Sequence, residues 1–535
     1  MKKRSSSAGS HIGKPTQKGA TRRGVIHGAA AAGVIAGVPL AAKHAFGMGN
    51  KPAIQKKPNI LFVLPDQHRH DAIGAAGNSM ITTPTMDRLV KEGTLFSKCW
   101  AQSPVCRPAR ASLITGRYPH QHGIATNSMP PFDAGWPTMM KNLQAVGYET
   151  ASFGKTHYDA SDEEAGGAEA PPREMNKDVR KTYPYLRSLG LDHVMEEGGQ
   201  WYPAMKGFSS SYTDYLRENG LLEAYRKSVL NVWTDTGDQW EPFITPYGQE
   251  HDVTSFVARA TVDWLDKRDK SKPFFAYYAP IKPHVPLAAD PVWAAYYENR
   301  PVPQGPRNKA EEVNPVWAAY IKRRYGNSHP EKLTPQAIDR AKRIYYAMIS
   351  LVDQNVGNIL SALERQGELD NTWVLWSSDH GEMMGDHLLM GKSVFYHAAV
   401  GVPGIIRPPK NTPKVQRVDA PVEVVDLTST ILDIAGAPPL AQAQGHSLLP
   451  VMNGASVKNP VAFSEISNLK GDPYFVAVSD GHYRYTVDQK TRTPCELFDL
   501  KNDPDEVDNL VNDKGYEKLG LQMQGDFIEP HMKKA

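Results

Sequence analysis

The sequence predicts an α/β fold, because short apolar segments of strand length occur together with a long segment of helical periodicity. Residues 60–64 (ILFVL) and 373–376 (WVLW) are continuous apolar runs, and an aspartate follows each within a few positions. Such runs are typical of parallel strands that helices cover on both faces. Residues 341–364 place apolar side chains at three- and four-residue intervals, which predicts an amphipathic helix.

Further strands are predicted at residues 150–153, 273–278 and 402–406, which are short and mostly apolar. Beyond about residue 455 the pattern changes to alternating segments at residues 475–478 and 483–487. Alternation of this kind predicts a small antiparallel sheet. We therefore expect a large α/β part followed by a small C-terminal part that contains this sheet.

Two segments, residues 161–240 and 290–335, are rich in proline, glycine, aromatic and charged residues but lack a strong apolar periodicity. We predict that both are long loops over the rim of the sheet. Loops in such positions usually shape the access of a ligand to its site.

The N-terminal segment is predicted to be an export signal. No acidic residue precedes Asp66, and basic residues that include Arg22 and Arg23 precede an apolar run at residues 29–42. This run is too short for a membrane span, which needs about 20 residues, but it suits a signal peptide. The Arg-Arg pair resembles a twin-arginine signal, so we assign residues 1–48 to export by the twin-arginine machinery, which makes the protein periplasmic or secreted. A disordered basic tail followed by a helix is the alternative.

The charge of the exported chain argues against a nucleic-acid partner. Loss of residues 1–48 removes eight basic and no acidic side chains, which changes the formal net charge from +3 to −5. A nucleic-acid footprint needs basic residues clustered on the folded domain. No stable membrane span is expected either, because the apolar run at residues 29–42 is too short.

Two aspartates mark the ends of the two clearest strands. Asp66 follows the first apolar run and Asp379 follows the second, 313 positions later. In open α/β sheets, ligands bind beyond the carboxyl ends of the strands. If the two strands are neighbours in the sheet, these carboxylates meet at one site.

Cys106 is predicted to lie at the N-terminus of a helix. Pro108 suits the first turn of a helix, and good helix formers continue to Gly116. Arg110 is four residues after Cys106 and so falls on the same face of the helix. A helix N-terminus beside a guanidinium favours an anion. A buried structural cysteine is the alternative reading of Cys106.

The segment CRPARASLITGR, residues 106–117, resembles the signature of the type I, formylglycine-dependent sulfatases of the alkaline phosphatase superfamily. The resemblance continues in order from PNILFVLPDQ near residue 58 to ELFDLKNDPDEVDNL near residue 500. It implies an alkaline-phosphatase-like central mixed, mostly parallel sheet sandwiched by helices, with a small C-terminal α+β subdomain. The implied boundaries are residues 55–455 for the catalytic domain and 456–535 for the subdomain.

The resemblance also implies that Cys106 is a precursor. In this family a formylglycine-generating enzyme oxidises the cysteine, and the hydrated aldehyde is the nucleophile. The family's metal positions match Asp66, Gln67, Cys106, Asp379 and His380, which would hold one divalent cation, with Ca²⁺ as the expected ion. Oxygen ligands suit such hard cations, although many relatives have aspartate in place of Gln67 and asparagine in place of His380.

Further catalytic roles follow from the same resemblance. Lys155 and Lys392 match the lysines that bind sulfate, and Arg110 lies beside the nucleophile. His157 matches the histidine that holds one hydroxyl of the hydrated aldehyde and later deprotonates it, and His284 matches the leaving-group histidine. These roles are consistent with the chemistry of sulfate ester cleavage, because the reaction moves negative charge onto the leaving oxygen and cations stabilise that charge.

The predicted function is hydrolysis of a sulfated small molecule or glycan to its alcohol and sulfate. A phosphonate or phosphate ester hydrolase on the same scaffold is an alternative, although Lys155 and His157 favour sulfate. A non-catalytic secreted glycan-binding protein is the alternative outside enzymology. Cys99 and Cys495 remain once Cys106 is converted, and whether they form a disulfide stays open.

Overall fold

A mixed, mostly parallel sheet of eight strands forms the centre of the protein in this computed structural model, which describes residues 56–159, 174–236, 240–309, 333–467 and 474–533. The order across the sheet is β8-β2-β7-β6-β1-β5-β3-β4. Among these strands only β7 runs antiparallel to its neighbours, β6 and β2. In chain order the strands are Asn59–Val63 (β1), Thr94–Phe96 (β2), Glu149–Gly154 (β3), His193–Glu196 (β4), Phe274–Ala279 (β5), Thr372–Trp376 (β6), Ile405–Arg407 (β7) and Arg417–Val418 (β8).

Helices cover both faces of this sheet, as predicted. Along β1, Leu61 and Val63 point into one buried apolar cluster, and Ile60 and Phe62 point into another on the opposite face. The described α-helices are Pro84–Glu92 (α1), Cys106–Thr115 (α2), Pro119–His122 (α3), Met139–Ala145 (α4), Tyr183–Ser188 (α5), Ser211–Glu218 (α6), Leu222–Thr236 (α7), Val253–Lys267 (α8), Pro291–Tyr297 (α9), Pro335–Arg365 (α10), His397–Val400 (α11), Val424–Ala435 (α12), Leu449–Met452 (α13), Glu517–Met523 (α14) and Glu529–Met532 (α15).

The long helix predicted at residues 341–364 is confirmed as α10, and it begins six residues earlier. Its start is set by Thr334, whose side chain accepts the backbone N–H of Ala337, and by Pro335 in the first turn. The predicted strands at residues 60–64, 150–153, 273–278 and 373–376 correspond to β1, β3, β5 and β6, with ends that differ by one residue.

One strand prediction was wrong in part. Residues 402–406 do not form a continuous strand, because Gly401–Val402 pairs with Cys99–Trp100 in a separate small sheet while Ile405–Arg407 joins the central one. Pro403 lacks a backbone N–H for a sheet ladder. Gly404 lies so close to Phe96 and Cys99 that an added Cβ would be only 2.9 Å from their atoms. The chain therefore changes sheets at these two residues.

The loop predictions for residues 161–240 and 290–335 were also wrong in part. The first segment contains the edge strand β4 of the central sheet and the helices α5, α6 and α7, and the second contains α9. Apart from α7, which has 15 residues, these elements are short, and short elements are fixed by tertiary contacts rather than by local periodicity. Residues 160–173, 237–239 and 310–332 lie outside the described residues.

The C-terminal part carries the predicted antiparallel sheet. Its strands pair in the order β9-β10-β11-β12, with β10 and β11 containing the predicted segments 475–478 and 483–487. The subdomain boundary near residue 455 stays a prediction, and the predicted signal at residues 1–48 lies outside the described residues. The four strands are Ala462–Ser467 (β9), Tyr474–Ser479 (β10), Tyr483–Asp488 (β11) and Thr493–Asp499 (β12).

A buried glutamate joins this sheet to the rest of the chain. Glu465 on β9 accepts hydrogen bonds from His120 Nδ1 at 2.8 Å and from His531 Nε2 at 2.7 Å. It also accepts the backbone N–H of His120 at 2.9 Å. These contacts hold the last helix, α15, against α3.

The register of the parallel strands brings their carboxyl ends to one edge. Val63 on β1 is level with Trp376 on β6 and with Tyr278 on β5. Gly154 on β3 is level with Ala279 on β5. The segments that follow these four strands therefore leave the sheet side by side, which is the arrangement predicted for Asp66 and Asp379. Among the described residues, no helix is both long and apolar enough to cross a bilayer.

Candidate active site

The helix α2 places Cys106 at its first position and Arg110 one turn later, as predicted. Val105 precedes the helix in an extended conformation, and Gly116 ends it with a left-handed φ of 68°. A residue with a side chain would be strained at that φ. Cys106 is only 1% exposed, so its side chain points into the protein, beneath the carboxyl ends of the strands.

Three of the predicted metal positions place buried donor atoms around the sulfur of the fourth, Cys106. Donor atoms of Asp66, Cys106, Asp379 and His380 all lie within 4.8 Å of one another. The sulfur is 3.1 Å from His380 Nε2 and 3.8 Å from Asp66 Oδ1. Lys392 donates to the same sulfur at 2.8 Å. Segments that are far apart in the sequence thus converge on residue 106.

The Cys106 thiol is poorly suited to act as a nucleophile itself. Burial, reinforced by the negative charge of Asp66, raises its pKa to about 11 against the opposing effects of Lys392 and Lys155. A thiol with such a pKa is protonated at neutral pH, and only the thiolate is nucleophilic. Cys99 and Cys495 are buried free thiols as well, so the pairing left open above is not formed.

Arg110 binds both carboxylates of the cluster. Its Nε donates to Asp379 Oδ2 at 2.8 Å, and its Nη2 lies 3.3 Å from Asp66 Oδ2. Its Nη1 donates to the backbone carbonyl of Lys155 and to Tyr277 Oη, the latter at 3.4 Å. The planar guanidinium therefore fixes the relative positions of strands β1, β3 and β6 at their ends.

Asp66 is held as an anion by the cations around it. Burial would raise the pKa of its carboxyl, but the charges of Lys155, Lys392 and Arg110 outweigh burial and hold that pKa well below its usual range. The Lys155 ammonium is 2.8 Å from Asp66 Oδ2. An ionised carboxylate is the form that binds a metal cation.

Gln67 is fixed at four points in a left-handed backbone conformation with φ of 70°. Its N–H donates to Asp379 Oδ1 at 3.0 Å, and its carbonyl accepts from Tyr345 Oη at 2.6 Å. Its side-chain Nε2 donates to Glu382, and its Oε1 accepts from Lys392 Nζ at 3.0 Å. A left-handed glutamine is uncommon, and such conformations cluster at functional sites.

His380 presents an unprotonated nitrogen to the cluster. Its Nδ1–H donates to the backbone carbonyl of Gly381 at 2.9 Å, so the Nε2 lone pair faces Cys106 and Lys392. Burial lowers the pKa of His380 to about 4. The ring is therefore neutral at physiological pH, as a metal ligand must be.

The two remaining histidines border the cluster. His157 is buried in a left-handed conformation with φ of 59°, and neither ring nitrogen has a hydrogen-bond partner among the described residues. Burial, followed by the charges of Lys155 and Arg110, lowers its pKa well below the usual value. His284 is half-buried, and its Nδ1–H donates to the Val285 carbonyl at 2.8 Å. Burial and the charge of Lys392 lower the pKa of His284 as well.

The sequence reasoning missed three residues that support the site. Tyr277 contacts Arg110, Tyr345 contacts the backbone of Gln67, and Glu382 contacts the Gln67 side chain. Glu382 follows His380 by two positions, so the DHGE segment was a readable signal for it. The two tyrosines lie on β5 and α10, and only the packing of those elements brings them to the site.

Comparisons with known proteins identify the family. The family model for sulfatases matches residues 58–437, which is more than half of the chain. A model for the C-terminal region of N-sulphoglucosamine sulphohydrolase matches residues 385–533.

The similarity to individual relatives extends over nearly the whole length of this chain. An arylsulfatase of Clostridium perfringens is 28% identical over 488 residues, which covers 86% of this chain and 92% of the relative. An N-acetylglucosamine-6-O-sulfatase of Bacteroides thetaiotaomicron is 25% identical over 536 residues, with 86% and 84% covered. The crystal structure of a phosphonate monoester hydrolase of Agrobacterium radiobacter shares the fold, with a TM-score of 0.73, 24% identity and 89% and 96% coverage. This chain belongs to the sulfatase family of the alkaline phosphatase superfamily and is a sulfuric ester hydrolase.

Proposed function

We propose that this protein hydrolyses an organic sulfate monoester, with a sulfated carbohydrate as the expected class, through a formylglycine formed from Cys106. One observation carries the proposal: the side chains of Asp66, His380 and Lys392 converge on the buried Cys106 sulfur, at 2.8 to 3.8 Å. The carbohydrate class is supported by the N-acetylglucosamine-6-O-sulfatase among the relatives.

Three cationic side chains would bind the sulfate group and stabilise its charge. Lys392 already contacts the Cys106 sulfur, Lys155 lies against Asp66, and Arg110 bridges Asp66 and Asp379. Negative charge moves to the leaving oxygen as the sulfur–oxygen bond breaks. Preformed cations in a buried site stabilise that charge more than water does.

His157 would act on the hydroxyl that does not carry sulfate. Its two ring nitrogens are buried without hydrogen-bond partners among the described residues, and a buried polar atom of this kind usually has a bound partner in the working protein. A neutral imidazole at this position would accept the hydroxyl proton as sulfate is expelled.

His284 would donate a proton to the leaving alcohol. Because its Nδ1–H is bound to the Val285 carbonyl, Nε2 is the nitrogen available to the leaving oxygen. Burial and Lys392 lower the pKa of His284. A bound sulfate ester brings a negative charge beside the ring and so raises its proton affinity, which allows it to act as an acid.

The residues present fit a divalent cation. Asp66 and Asp379 offer carboxylate oxygens and Gln67 an amide oxygen, which are the donors that Ca²⁺ and similar hard cations take, and His380 adds the softer Nε2 lone pair. The ammonium of Lys392 lies within 3.0 Å of Gln67 Oε1 and 2.9 Å of His380 Nε2, so these donors already favour a cation. When bound, the metal would supply Lewis-acid stabilisation of negative charge.

Maturation and export complete the proposal. A formylglycine-generating enzyme would convert Cys106, and the resulting hydrated aldehyde would supply the nucleophile and release sulfate by collapse to the aldehyde. The Arg22–Arg23 pair and the apolar run at residues 29–42 support export by the twin-arginine machinery to the periplasm or beyond the cell.

Phosphonate or phosphate ester hydrolysis is the second candidate. The structural likeness to a phosphonate monoester hydrolase supports it. Lys155 and His157 favour sulfate, because they match the positions that the resemblance to the formylglycine-dependent sulfatases implies. The binding-only alternative is disfavoured by family membership and by the complete set of acid, base and nucleophile positions.

Substrate assays with the matured protein decide between the two enzymes. The protein is produced with a formylglycine-generating enzyme and assayed for release of 4-nitrophenol from its sulfate, its phosphate and a phosphonate monoester, with Cys106→Ala as the control. We expect the highest kcat/KM for the sulfate and no turnover by the control. A higher kcat/KM for either phosphorus ester would overturn the proposed reaction.

A further inference from the structure

We propose that Glu382 is a positioning residue that sets the orientation of the Gln67 amide and returns a negative charge to the metal site. The inference rests on the proposed metal site, since it concerns how one of its donors is held. Glu382 lies just outside the donor set, and its carboxylate contacts both Gln67 and the loop that carries Lys392.

Hydrogen-bond donors surround the Glu382 carboxyl group, and they oppose the rise in its pKa that burial causes. It is completely buried. Its Oε2 accepts from Gln67 Nε2, and its Oε1 accepts the backbone N–H groups of Met384 at 2.8 Å and Gly391 at 2.5 Å. All three partners are N–H donors, so a proton on either oxygen would face a donor and find no acceptor among these partners.

This carboxylate fixes which end of the Gln67 amide faces the cluster. With Nε2 bonded to Glu382, Oε1 points towards Lys392 Nζ, 3.0 Å away. A flipped amide would place Oε1 against the carboxylate and Nε2 against the ammonium. Both contacts would be repulsive, because an oxygen would face an oxygen and a donor would face a donor. Glu382 therefore holds a metal-binding oxygen in the direction that a cation requires.

Glu382 also compensates for a charge that the donor set lacks. Gln67 is neutral, so Asp66 and Asp379 are the two carboxylates among the proposed protein ligands. A hydrogen bond from an amide to a carboxylate is charge-assisted, and it increases the negative character of the amide oxygen at the other end. The third negative charge thus acts through Gln67 instead of by direct contact with the metal.

The same carboxylate links the metal site to the sulfate-binding lysine. Gly391 donates to Glu382 and immediately precedes Lys392. Gly391 has a φ of 86°, and an added Cβ would lie 3.0 Å from Trp240. Lys392 therefore starts from a backbone position fixed by Glu382 on one side and by packing on the other.

The test changes the charges of Glu382 and Gln67 and measures Ca²⁺ affinity by titration calorimetry. The purified protein keeps Cys106 unconverted, because the measurement needs no turnover. Glu382→Gln puts an amide N–H₂ against Gln67 Nε2. Because two donors then face each other, the Gln67 amide has to turn its oxygen away from the metal site. We expect a roughly 10- to 100-fold loss of affinity, as is typical for partners of metal ligands. The double variant Gln67→Glu with Glu382→Gln restores a donor–acceptor pair and the third charge, so we expect affinity within a few-fold of the parent protein.

Glu197→Gln is the matched control. Glu197 is also a buried glutamate, but it accepts the backbone N–H of Tyr212 and contacts none of the proposed donors. Glu197→Gln should leave Ca²⁺ affinity unchanged. If removal of any buried carboxylate destabilised the fold enough to weaken binding, affinity would fall in both Glu197→Gln and Glu382→Gln.

Three results would overturn the inference. Unchanged affinity in Glu382→Gln would show that Gln67 needs no partner, while the parent still binds Ca²⁺ and the proposed function stands. A double variant that does not recover Ca²⁺ affinity would contradict the pairing of Gln67 with Glu382. This result can be obtained even if Glu382→Gln alone fails to fold. A parent protein that binds no Ca²⁺, Mg²⁺ or Mn²⁺ would remove the metal from the proposed function and this inference with it.

Discussion

Arg110 and Asp379 form an ion pair at 2.8 Å in which neither side chain is exposed to solvent. Arg110 also faces Asp66 at 3.3 Å. Removal of one partner from a buried pair leaves a charge without compensation and costs about 3–5 kcal/mol. We therefore expect Arg110→Ala to lower the free energy of unfolding by about this amount, measured by urea denaturation followed by circular dichroism.

Arg180 provides the control for this prediction. It pairs with Asp178 and Asp214 at 2.8 and 2.5 Å, but about a third of each side chain is exposed. Exposed pairs contribute about 1 kcal/mol or less, so Arg180→Ala should change the urea midpoint only slightly. Similar midpoints for the two alanine variants would contradict a structural role for the Arg110 pair.

Lys392 is expected to contribute to catalysis through its charge. Its ammonium is 2.8 Å from the Cys106 sulfur, the atom that the aldehyde oxygen would replace on conversion to formylglycine. Loss of one such charge-stabilising group lowers kcat by about 10²- to 10³-fold, and we expect a loss of this size for Lys392→Ala in sulfate ester hydrolysis by matured protein. Lys410→Ala is the control, because Lys410 is 64% exposed and pairs only with Asp370 among the described residues. Equal rates for both variants would exclude the proposed role.

His284 should matter most for esters whose alcohol is a poor leaving group. Its Nε2 is the nitrogen left for the leaving oxygen once Nδ1–H is bound to Val285. A general acid contributes about 10²- to 10⁴-fold, but 4-nitrophenolate needs little protonation in order to leave. We expect His284→Ala to reduce kcat/KM strongly for sulfated sugars and weakly for 4-nitrophenyl sulfate. Equal losses for both substrates would contradict proton donation by this residue.

The stability of the protein should depend on pH through His122. Its Nδ1 accepts the N–H of Ile124 at 3.1 Å, and its Nε2 faces Ser112 Oγ at 3.0 Å. Burial lowers the pKa of His122 to about 3, while the unfolded chain has the ordinary value of about 6.5. The unfolded state therefore takes up the proton first. The contribution of His122 is fully present above pH 6.5 and is lost as the pH falls towards 3, by about 1.4 kcal/mol per pH unit.

A comparison with His122→Gln isolates this contribution from those of other buried histidines. The difference in the free energy of unfolding between parent and variant should be largest at pH 7.5 and should shrink steadily at pH 6 and pH 5. Urea denaturation at the three pH values measures it. A difference that stays constant with pH would mean that His122 does not remain neutral in the folded protein.

The sequence was sufficient to predict the central strands of the sheet and the convergence of Asp66 and Asp379 at their ends. Apolar runs that end in Asp66 and Asp379 indicate buried parallel strands, and parallel strands bring such ends to one edge. Pro108 and Gly116 bounded the helix that carries Cys106. These features are local, so they can be read from a single sequence.

The parts that could not be predicted depend on contacts between distant segments. His193–Glu196 has only four residues and becomes a strand because Glu149–Gly154 offers it a free edge. The left-handed conformation of Gln67 results from four contacts, among them Tyr345 on α10. Neither periodicity nor turn chemistry carries this information.

The most direct test of the central claim relates activity to the state of residue 106. Expression with increasing amounts of a formylglycine-generating enzyme gives protein samples that differ in conversion, which peptide mass spectrometry quantifies alongside the rate of 4-nitrophenyl sulfate hydrolysis. We predict that the rate rises in proportion to the converted fraction and extrapolates to zero at no conversion. Equal rates at all degrees of conversion, or no hydrolysis of any sulfate ester by fully converted protein, would contradict a formylglycine-dependent sulfatase.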